Sequence, residues 1–169
     1  MKTQIEGRAW VLGDAVDTDA LYPGFAMRLP LEEAAQHVLY AVRPGWTEQV
    51  RPGDILVAGR NFGLGSSRPV AALLKFLGIS ALVADEFNSL FYRNSINYGL
   101  PAVTAPGIAS NVRDGNHVRI DLTTGTVENV DTGYRTTTDP LPTFVLDILA
   151  ADGLMGKLAA DGFIPSTTQ

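Results

Sequence analysis

The chain has 169 residues, of which 46% are hydrophobic and 18% are charged, a composition typical of one globular domain with a sizeable core. Its net charge of −5 excludes the strongly basic surface by which proteins bind nucleic acid or anionic membranes. With no Cys and only two His, the chain lacks the ligands for a thiolate or His-rich metal site. We therefore expect one domain over residues 1–169 that binds no metal. The absence of a signal-type N-terminus and of a long apolar run predicts a cytoplasmic location.

The first third of the chain predicts a strand, a polar loop and a helix. Residues 5–12 are mostly apolar and are expected to form the strand. Asp, Gly and Pro dominate residues 13–24, a composition typical of loops. Apolar residues recur every three or four positions over 31–42, which predicts an amphipathic helix. Glu32 and Glu33 fall in its first turn, where the helix dipole favours acidic side chains.

The middle third alternates short apolar runs with segments of helical spacing. A strand, a Gly-rich loop, a helix and a second strand follow one another between residues 55 and 85. This order predicts a right-handed β–α–β crossover with parallel strands, and Gly78 is expected to end its helix. The predicted strands cover 55–59, 79–85 and 100–105. A helix is predicted over 70–78, and one or two short helices are predicted over 86–99.

The last third has a different pattern. Residues 117–130 alternate apolar and polar side chains on both sides of a Thr-Gly turn, which predicts a β-hairpin. Residues 143–162 have helical spacing that is interrupted near Gly153. Together, the predicted elements indicate an α/β fold with mixed sheets and helices packed against them.

The most informative segment is Asn-Phe-Gly-Leu-Gly-Ser-Ser-Arg-Pro at 61–69, between a predicted strand and a predicted helix. Gly63 and Gly65 allow positive φ angles and a close approach of the backbone to a ligand. The helix that follows presents free N–H groups at its start, which favour anions. The position of the segment therefore indicates an anion-binding loop, although two Gly residues alone would also fit an ordinary turn.

The second half of this segment strengthens the indication. Ser66 and Ser67 supply hydroxyl groups, and the planar guanidinium of Arg68 matches a carboxylate. Pro69 suits the first position of the predicted helix, where a missing N–H has no consequence. A plain turn with a Ser cap would not need the arginine, so the run favours a carboxylate- or phosphate-binding loop. The spacing excludes a P-loop, a dinucleotide fingerprint and a serine-hydrolase elbow.

The segment GRNFGLGSSRPVAALLKFLGISALVADEFNSLFYRNSINYGLP resembles the small-subunit, or swivelling, domain of aconitase-type dehydratases. That family has a loop close to Asn-Phe-Gly-x-Gly-Ser-Ser-Arg-Glu and an upstream Asp-Thr-Asp loop. The resemblance covers nearly the whole chain, whose length is similar to that of a separate small subunit of the 3-isopropylmalate dehydratase type. Outside the Gly-rich loop, the matching positions are Asp17-Thr18-Asp19, Tyr22-Pro23, Phe87, Phe91, Asn94, Asn97 and Gly99-Leu100-Pro101.

The resemblance implies a swivelling β/β/α-type domain and assigns roles to the Gly-rich loop. Ser66 matches the general base that removes the proton next to a substrate carboxylate. Ser67 and Arg68 match residues that bind a carboxylate, in a loop to which Gly63 and Gly65 contribute their backbone. A serine hydroxyl is a weak base, so the loop N–H groups and the Arg68 charge would have to stabilise its alkoxide.

Two further residues, Asp19 and Arg28, have both a functional and a structural interpretation. Asp19 matches an acidic residue that orients a His of the large subunit, although Asp17 and Asp19 taken alone are typical turn caps. Arg28 lies where relatives have a substrate-selecting segment, and it either binds a second carboxylate or is a solvated surface residue. The chain differs from the family in having Pro69 in place of Glu, and Leu64 where many relatives have Cys.

The resemblance implies the small subunit of a hydro-lyase acting on 3-isopropylmalate or (R)-2-methylmalate, as in leucine biosynthesis, with 2,3-dimethylmalate and homoaconitate as alternative substrates. It places a 4Fe-4S cluster, whose iron would act as a Lewis acid, on a large-subunit partner, so that this chain binds no cofactor itself. The active form would be a heterodimer or heterotetramer, and the isolated chain could form a homo-oligomer. A non-catalytic carboxylate-binding module is the alternative of another class.

Overall fold

One mixed sheet organises the computed structural model, which describes residues 1–65 and 68–166. Its strands are short, and most lie where the apolar runs predict them. Within the described residues the sheet has seven strands: β1 (Gln4–Val11), β2 (Ile55–Ala58), β3 (Ala81–Ala84), β4 (Ala102–Thr104), β5 (His117–Asp121), β6 (Thr126–Asn129) and β7 (Arg135–Thr137).

The order across the sheet is β4-β3-β2-β1-β5-β6-β7. Strands β1 to β4 pair in parallel, whereas β5, β6 and β7 continue the sheet beyond β1 in antiparallel pairs. Every residue of β2 and β3 is buried, as expected for parallel strands that are covered on both faces. In β5 and β6 buried and half-buried residues alternate, so one face of this hairpin meets the core.

Helices connect the parallel strands and follow the last strand. They are α1 (Thr18–Leu21), α2 (Leu31–Ala35), α3 (Trp46–Gln49), α4 (Val70–Phe76), α5 (Ser89–Asn97), α6 (Thr143–Ala150) and α7 (Leu154–Ala160), with 3₁₀ helices at Gly24–Arg28 and Ile108–Ser110. Helix α4 connects β2 to β3, and α5 connects β3 to β4. The α/β fold predicted from the sequence is therefore confirmed.

Helix α4 packs against the core and ends at a glycine. Its buried residues Val70, Leu73 and Leu74 attach it to the core. At its end Gly78 has a φ of 94°, and its N–H donates to the Lys75 carbonyl. The next N–H, that of Ile79, donates to the Leu74 carbonyl at 3.0 Å, which completes a Schellman motif. The prediction that Gly78 ends this helix is confirmed.

The prediction of a helix over 31–42 is wrong beyond the first turn, because α2 ends at Ala35. Leu39 has a φ of 60°, which a right-handed helix cannot contain, and its N–H donates to the Ala20 carbonyl at 2.9 Å. This tertiary bond, together with the burial of Val38 and Leu39, outweighs the local helical preference. His37 is half-buried in this turn, with its ring 5.0 Å from that of Phe25.

Several short elements were not predicted, including α1 inside the predicted loop 13–24, α3 and β7. The C-terminal prediction is confirmed, since α6 and α7 are separated at Gly153, which has a φ of 116°. Across residues 1–65 and 68–166, no helix has the length and apolar character that a bilayer crossing requires.

Candidate active site

Loops that follow three parallel strands meet at the carboxyl-terminal edge of the sheet. The Gly-rich loop after β2 pairs with the loop after β1, because the Gly63 N–H donates to the Val16 carbonyl at 2.8 Å. The Thr18 N–H then donates to the Leu64 carbonyl, also at 2.8 Å. Open α/β sheets bind their ligands at this edge. The two segments that the sequence singles out, which are distant along the chain, are thus joined by backbone hydrogen bonds.

The same loop is held on its other side by the segment after β3. The Phe62 N–H donates to the Glu86 carbonyl, and the Phe62 carbonyl accepts from the Asn88 N–H at 2.8 Å. The Phe62 ring is fully buried and lies 5.0 Å from the Phe91 ring and 5.7 Å from the Phe87 ring. These aromatic side chains therefore form the support beneath the loop.

Both glycines of the loop have conformations that favour glycine. Gly63 is buried with a φ of 84°, and a Cβ atom there would lie 2.1 Å from Cγ of Phe91. Gly65 is exposed with a φ of 113°, and its Cβ would lie 3.0 Å from the Thr18 hydroxyl oxygen. Gly63 thus allows the loop to approach α5, and Gly65 allows the backbone turn that precedes the Ser-Ser-Arg run.

Arg68 and Asp19, 49 residues apart in sequence, form an ion pair. The Nη1 atom of Arg68 donates to Oδ1 of Asp19 at 2.9 Å and to the Tyr22 carbonyl at 2.8 Å. The Arg68 side chain is 19% exposed, whereas that of Asp19 is 71% exposed. The arginine is therefore enclosed between the two loops, with the carboxylate at the surface.

The hydrogen bond from Arg68 lowers the pKa of Asp19, and a second bond from the Gly24 N–H lowers it further. Asp19 is therefore ionised at neutral pH. Asp17 has a different role, because its Oδ1 accepts from the Ala20 N–H at 2.8 Å and caps helix α1. The capping interpretation fits Asp17, and the charged pair belongs to Asp19.

The other predicted site residues are not all brought together. Ser66 and Ser67 lie outside the described residues. Arg28 ends the 3₁₀ helix Gly24–Arg28 and is exposed, and the described residues give it neither an ion pair nor a side-chain hydrogen bond. Pro69 precedes α4 instead of occupying its first position, because the Val70 N–H donates back to the Arg68 carbonyl at 2.7 Å.

Sequence reasoning missed the parts of the site that act through the backbone or through burial. The Tyr22 carbonyl, which binds Arg68, has no side-chain signal in the sequence. Thr18 is buried beneath Gly65 and, with Arg68, Leu90 and Asn94, lines a narrow crevice behind the loop. Thr18, Tyr22 and Asn94 all lie in the stretches that carry the family resemblance, which was the available signal.

A metal ligand set is missing from the part of the chain that the structure describes, where no three His, Asp or Glu side chains are grouped closely enough. The sequence as a whole contains no Cys. A cluster held by thiolates therefore does not fit this chain. The site offers instead an arginine, a paired carboxylate and a loop with glycines at positive φ.

Comparisons with known proteins identify relatives that match nearly the whole chain. A family model described as the aconitase C-terminal domain matches residues 32–107. The 3-isopropylmalate dehydratase small subunit 1 of Methanopyrus kandleri is 44% identical over 96% of this chain and 96% of its own length. The isopropylmalate/citramalate isomerase small subunit of Methanocaldococcus jannaschii is also 44% identical, over 94% of this chain and 95% of its own length.

A solved structure extends the agreement to three dimensions. The crystal structure of 3-isopropylmalate dehydratase from Methanocaldococcus jannaschii aligns with a TM-score of 0.87 at 36% identity, covering 95% of this chain and 96% of that one. Because the relatives match nearly end to end, the similarity is not confined to one motif. The chain belongs to the family of 3-isopropylmalate dehydratase small subunits.

Proposed function

We propose that this chain, as a single domain over residues 1–169, is the small subunit of a hydro-lyase that acts on a malate derivative together with a separate large subunit. The observation that carries the proposal is the contact of Arg68 with Asp19, which joins the two loops of the family pattern at one edge of the sheet. The names of the relatives support 3-isopropylmalate or (R)-2-methylmalate, which is citramalate, as the substrate.

Arg68 and the Gly-rich loop are proposed to bind one substrate carboxylate. A guanidinium makes two parallel hydrogen bonds to a carboxylate, and it remains charged at any physiological pH. Gly63 and Gly65 bring backbone close to the ligand, and the Ser67 hydroxyl adds a further donor. Arg28, exposed and without an ion pair in the described residues, is proposed to bind the second carboxylate of the substrate.

Ser66 is proposed to remove the proton from the carbon next to the bound carboxylate. The substrate hydroxyl leaves from the neighbouring carbon, so that a carbon–carbon double bond and water are formed. Re-addition of water in the other orientation gives the isomer. The nearby Arg68 charge and the loop N–H groups favour the serine alkoxide, which is otherwise far too basic to form at neutral pH.

A 4Fe-4S cluster is proposed to belong to the large subunit. The chain has no Cys to ligate it. The active assembly is proposed to be a cytoplasmic heterodimer or heterotetramer of leucine biosynthesis. Without its partner, the isolated chain is proposed to form a homo-oligomer.

The test is anaerobic dehydration of 3-isopropylmalate, (R)-2-methylmalate, 2,3-dimethylmalate and homoaconitate by this chain with and without its large subunit. Turnover by the mixture alone is expected, with 3-isopropylmalate or (R)-2-methylmalate preferred. If no mixture turns over any of them and the isolated chain still binds dicarboxylates, the chain is a binding module and the proposal is refuted.

The two serines have separable expected effects. Ser66→Ala is expected to lower kcat by about 10²-fold or more, as for loss of a general base. Association of the two subunits is expected to be unchanged. Ser67→Ala is expected to raise KM and leave kcat nearly unchanged. Steady-state kinetics of the mixed subunits, with gel filtration to follow association, checks both. Full activity in Ser66→Ala would remove that residue from the mechanism.

A further inference from the structure

The described residues leave one edge of the Arg68 guanidinium available for a ligand. Both bonds that Arg68 makes to other described residues use Nη1, one to Asp19 and one to the Tyr22 carbonyl. An arginine has five N–H donors, and three of them belong to Nε and Nη2. Nε and Nη2 together form the edge that binds a carboxylate with two parallel bonds. The protein thus holds the guanidinium at one corner and presents the opposite edge.

We propose that Asp19 is a positioning residue that fixes the orientation of Arg68, so that the Nε–Nη2 edge faces the substrate carboxylate. This inference rests on the proposed function and gives Asp19 a task within this chain, in place of orienting a His of the large subunit. Asp19 does not itself touch the substrate in this arrangement.

Exposure separates a positioning role from a stabilising one. The Asp19 side chain is 71% exposed, and exposed ion pairs contribute little to folding stability. The Arg68 side chain is only 19% exposed, so its orientation is set by the groups around it. A carboxylate at the surface that binds an enclosed arginine therefore has more effect on where the guanidinium points than on whether the chain folds.

Asp19 also connects the arginine to the segment that follows. The same Oδ1 atom accepts from the Gly24 N–H at 3.2 Å, at the start of the 3₁₀ helix Gly24–Arg28. One oxygen atom therefore connects the start of this helix to the Arg68 guanidinium. Loss of the Asp19 carboxylate is expected to loosen both, whereas the change Asp19→Asn would keep an oxygen that can accept both bonds.

The first experiment records guanidinium ¹⁵N signals of Arg68 in the isolated full chain, for wild type, Asp19→Asn and Asp19→Ala. Slow rotation of the guanidinium is expected in the wild type and faster rotation in Asp19→Ala, with Asp19→Asn between them. Asp161→Asn, which weakens the Lys157–Asp161 pair on the surface near α7, is the control and is expected to leave Arg68 unchanged. Equal restraint of Arg68 in Asp19→Ala would overturn the inference.

The second experiment measures kcat and KM for 3-isopropylmalate in the two-subunit enzyme for Asp19→Ala, Arg68→Ala and the double variant. Asp19→Ala is expected to raise KM about 10- to 100-fold, as for misplacement of a contact group, with partial rescue by Asp19→Asn. In the Arg68→Ala background it is expected to have no further effect on KM, because residues that act through one another are not additive.

An equal loss of kcat from Asp19→Ala in both backgrounds would overturn the inference, since Asp19 would then act on a group of the large subunit. Absence of wild-type turnover would instead refute the proposed function. In that case the guanidinium signals of the isolated chain still decide whether Asp19 positions Arg68.

Discussion

Gly63 occupies a position that combines a φ of 84° with direct contact against Phe91. Gly63→Ala is expected to lower the free energy of unfolding by roughly 2–4 kcal/mol, the sum of a left-handed backbone and an overfilled contact. It is also expected to displace the Gly-rich loop and reduce turnover. Urea unfolding and kinetics of the two-subunit enzyme measure the two effects.

Gly133 provides the matched control for this change. Its φ is 80°, close to that of Gly63, but a Cβ atom there would meet nothing within 4 Å. Gly133→Ala is therefore expected to lose only the backbone part, about 1–2 kcal/mol, with turnover unchanged. Equal destabilisation by the two variants would mean that contact with Phe91 has no effect.

Asp54 is a buried carboxylate that immediately precedes β2, and it is 5% exposed. Burial alone would raise its pKa, but the Arg8 side chain, the Trp10 Nε1–H and the Arg51 N–H donate to it and hold the pKa below the ordinary range. A lowered folded-state pKa contributes stability above the unfolded-state pKa, about 3.9 for Asp. That stability is lost as the pH falls through the folded-state value.

Asp54→Asn is accordingly expected to destabilise the chain by about 1–3 kcal/mol at neutral pH, because a buried charged hydrogen-bond network loses its acceptor charge. The difference from the wild type is expected to shrink as the pH falls below about 3.9. Urea unfolding followed by Trp fluorescence across this pH range checks both. A difference that stays constant with pH would show that the ionised carboxylate does not contribute.

At the residue scale, the sequence predicts which side chains carry chemistry but not how they are paired. The glycines and Arg68 were identified because their types match an anion loop. The bond from Arg68 to the Tyr22 carbonyl could not be predicted, since every residue has a carbonyl and only the tertiary fold selects one. The pairing of Arg68 with Asp19 likewise depends on two loops that meet only after the sheet forms.

At the scale of elements, helix α5 depends on its N-cap. The Asn88 Oδ1 accepts from the Leu90 N–H at 3.1 Å and from the Phe91 N–H at 3.5 Å. Asn88→Ala is expected to lower the free energy of unfolding by about 1 kcal/mol, whereas Asn88→Asp keeps the cap and is expected to be nearly neutral. Chemical unfolding of the two variants measures the difference, and equal stabilities would mean that the cap contributes nothing.

Local periodicity predicts a helix correctly where no tertiary hydrogen bond competes with it. The prediction fails where such a bond does compete. Helices α4 and α6 follow the spacing of their apolar residues. Helix α2 stops early because the Leu39 N–H donates to Ala20 of another segment. Strand β7 has only three residues, too few for an alternating pattern to be recognised.

At the scale of the whole molecule, β1 occupies the centre of the sheet although it comes first in the chain. Its parallel neighbour β2 is more than 40 residues away and its antiparallel neighbour β5 more than 100, a separation that local pattern cannot resolve. The sequence predicted the parallel β2–α4–β3 unit and the β5–β6 hairpin, because these are local. The placement of β1 between them depends on long-range pairing.

This arrangement puts the Gly-rich loop directly after one of the best protected strands. Strands β2 and β3 each have a hydrogen-bonded neighbour on both sides and are buried at every position, whereas β7 lies at the edge and, within residues 1–65 and 68–166, pairs only with β6. The amides of β2 and β3 are therefore expected to exchange with solvent only through global unfolding, and those of β7 through local opening. Native-state hydrogen exchange with denaturant measures this directly. Protection of β7 equal to that of β3 would contradict it, and early exchange in β2 would mean that the loop is attached to a mobile strand and is not preorganised for a ligand.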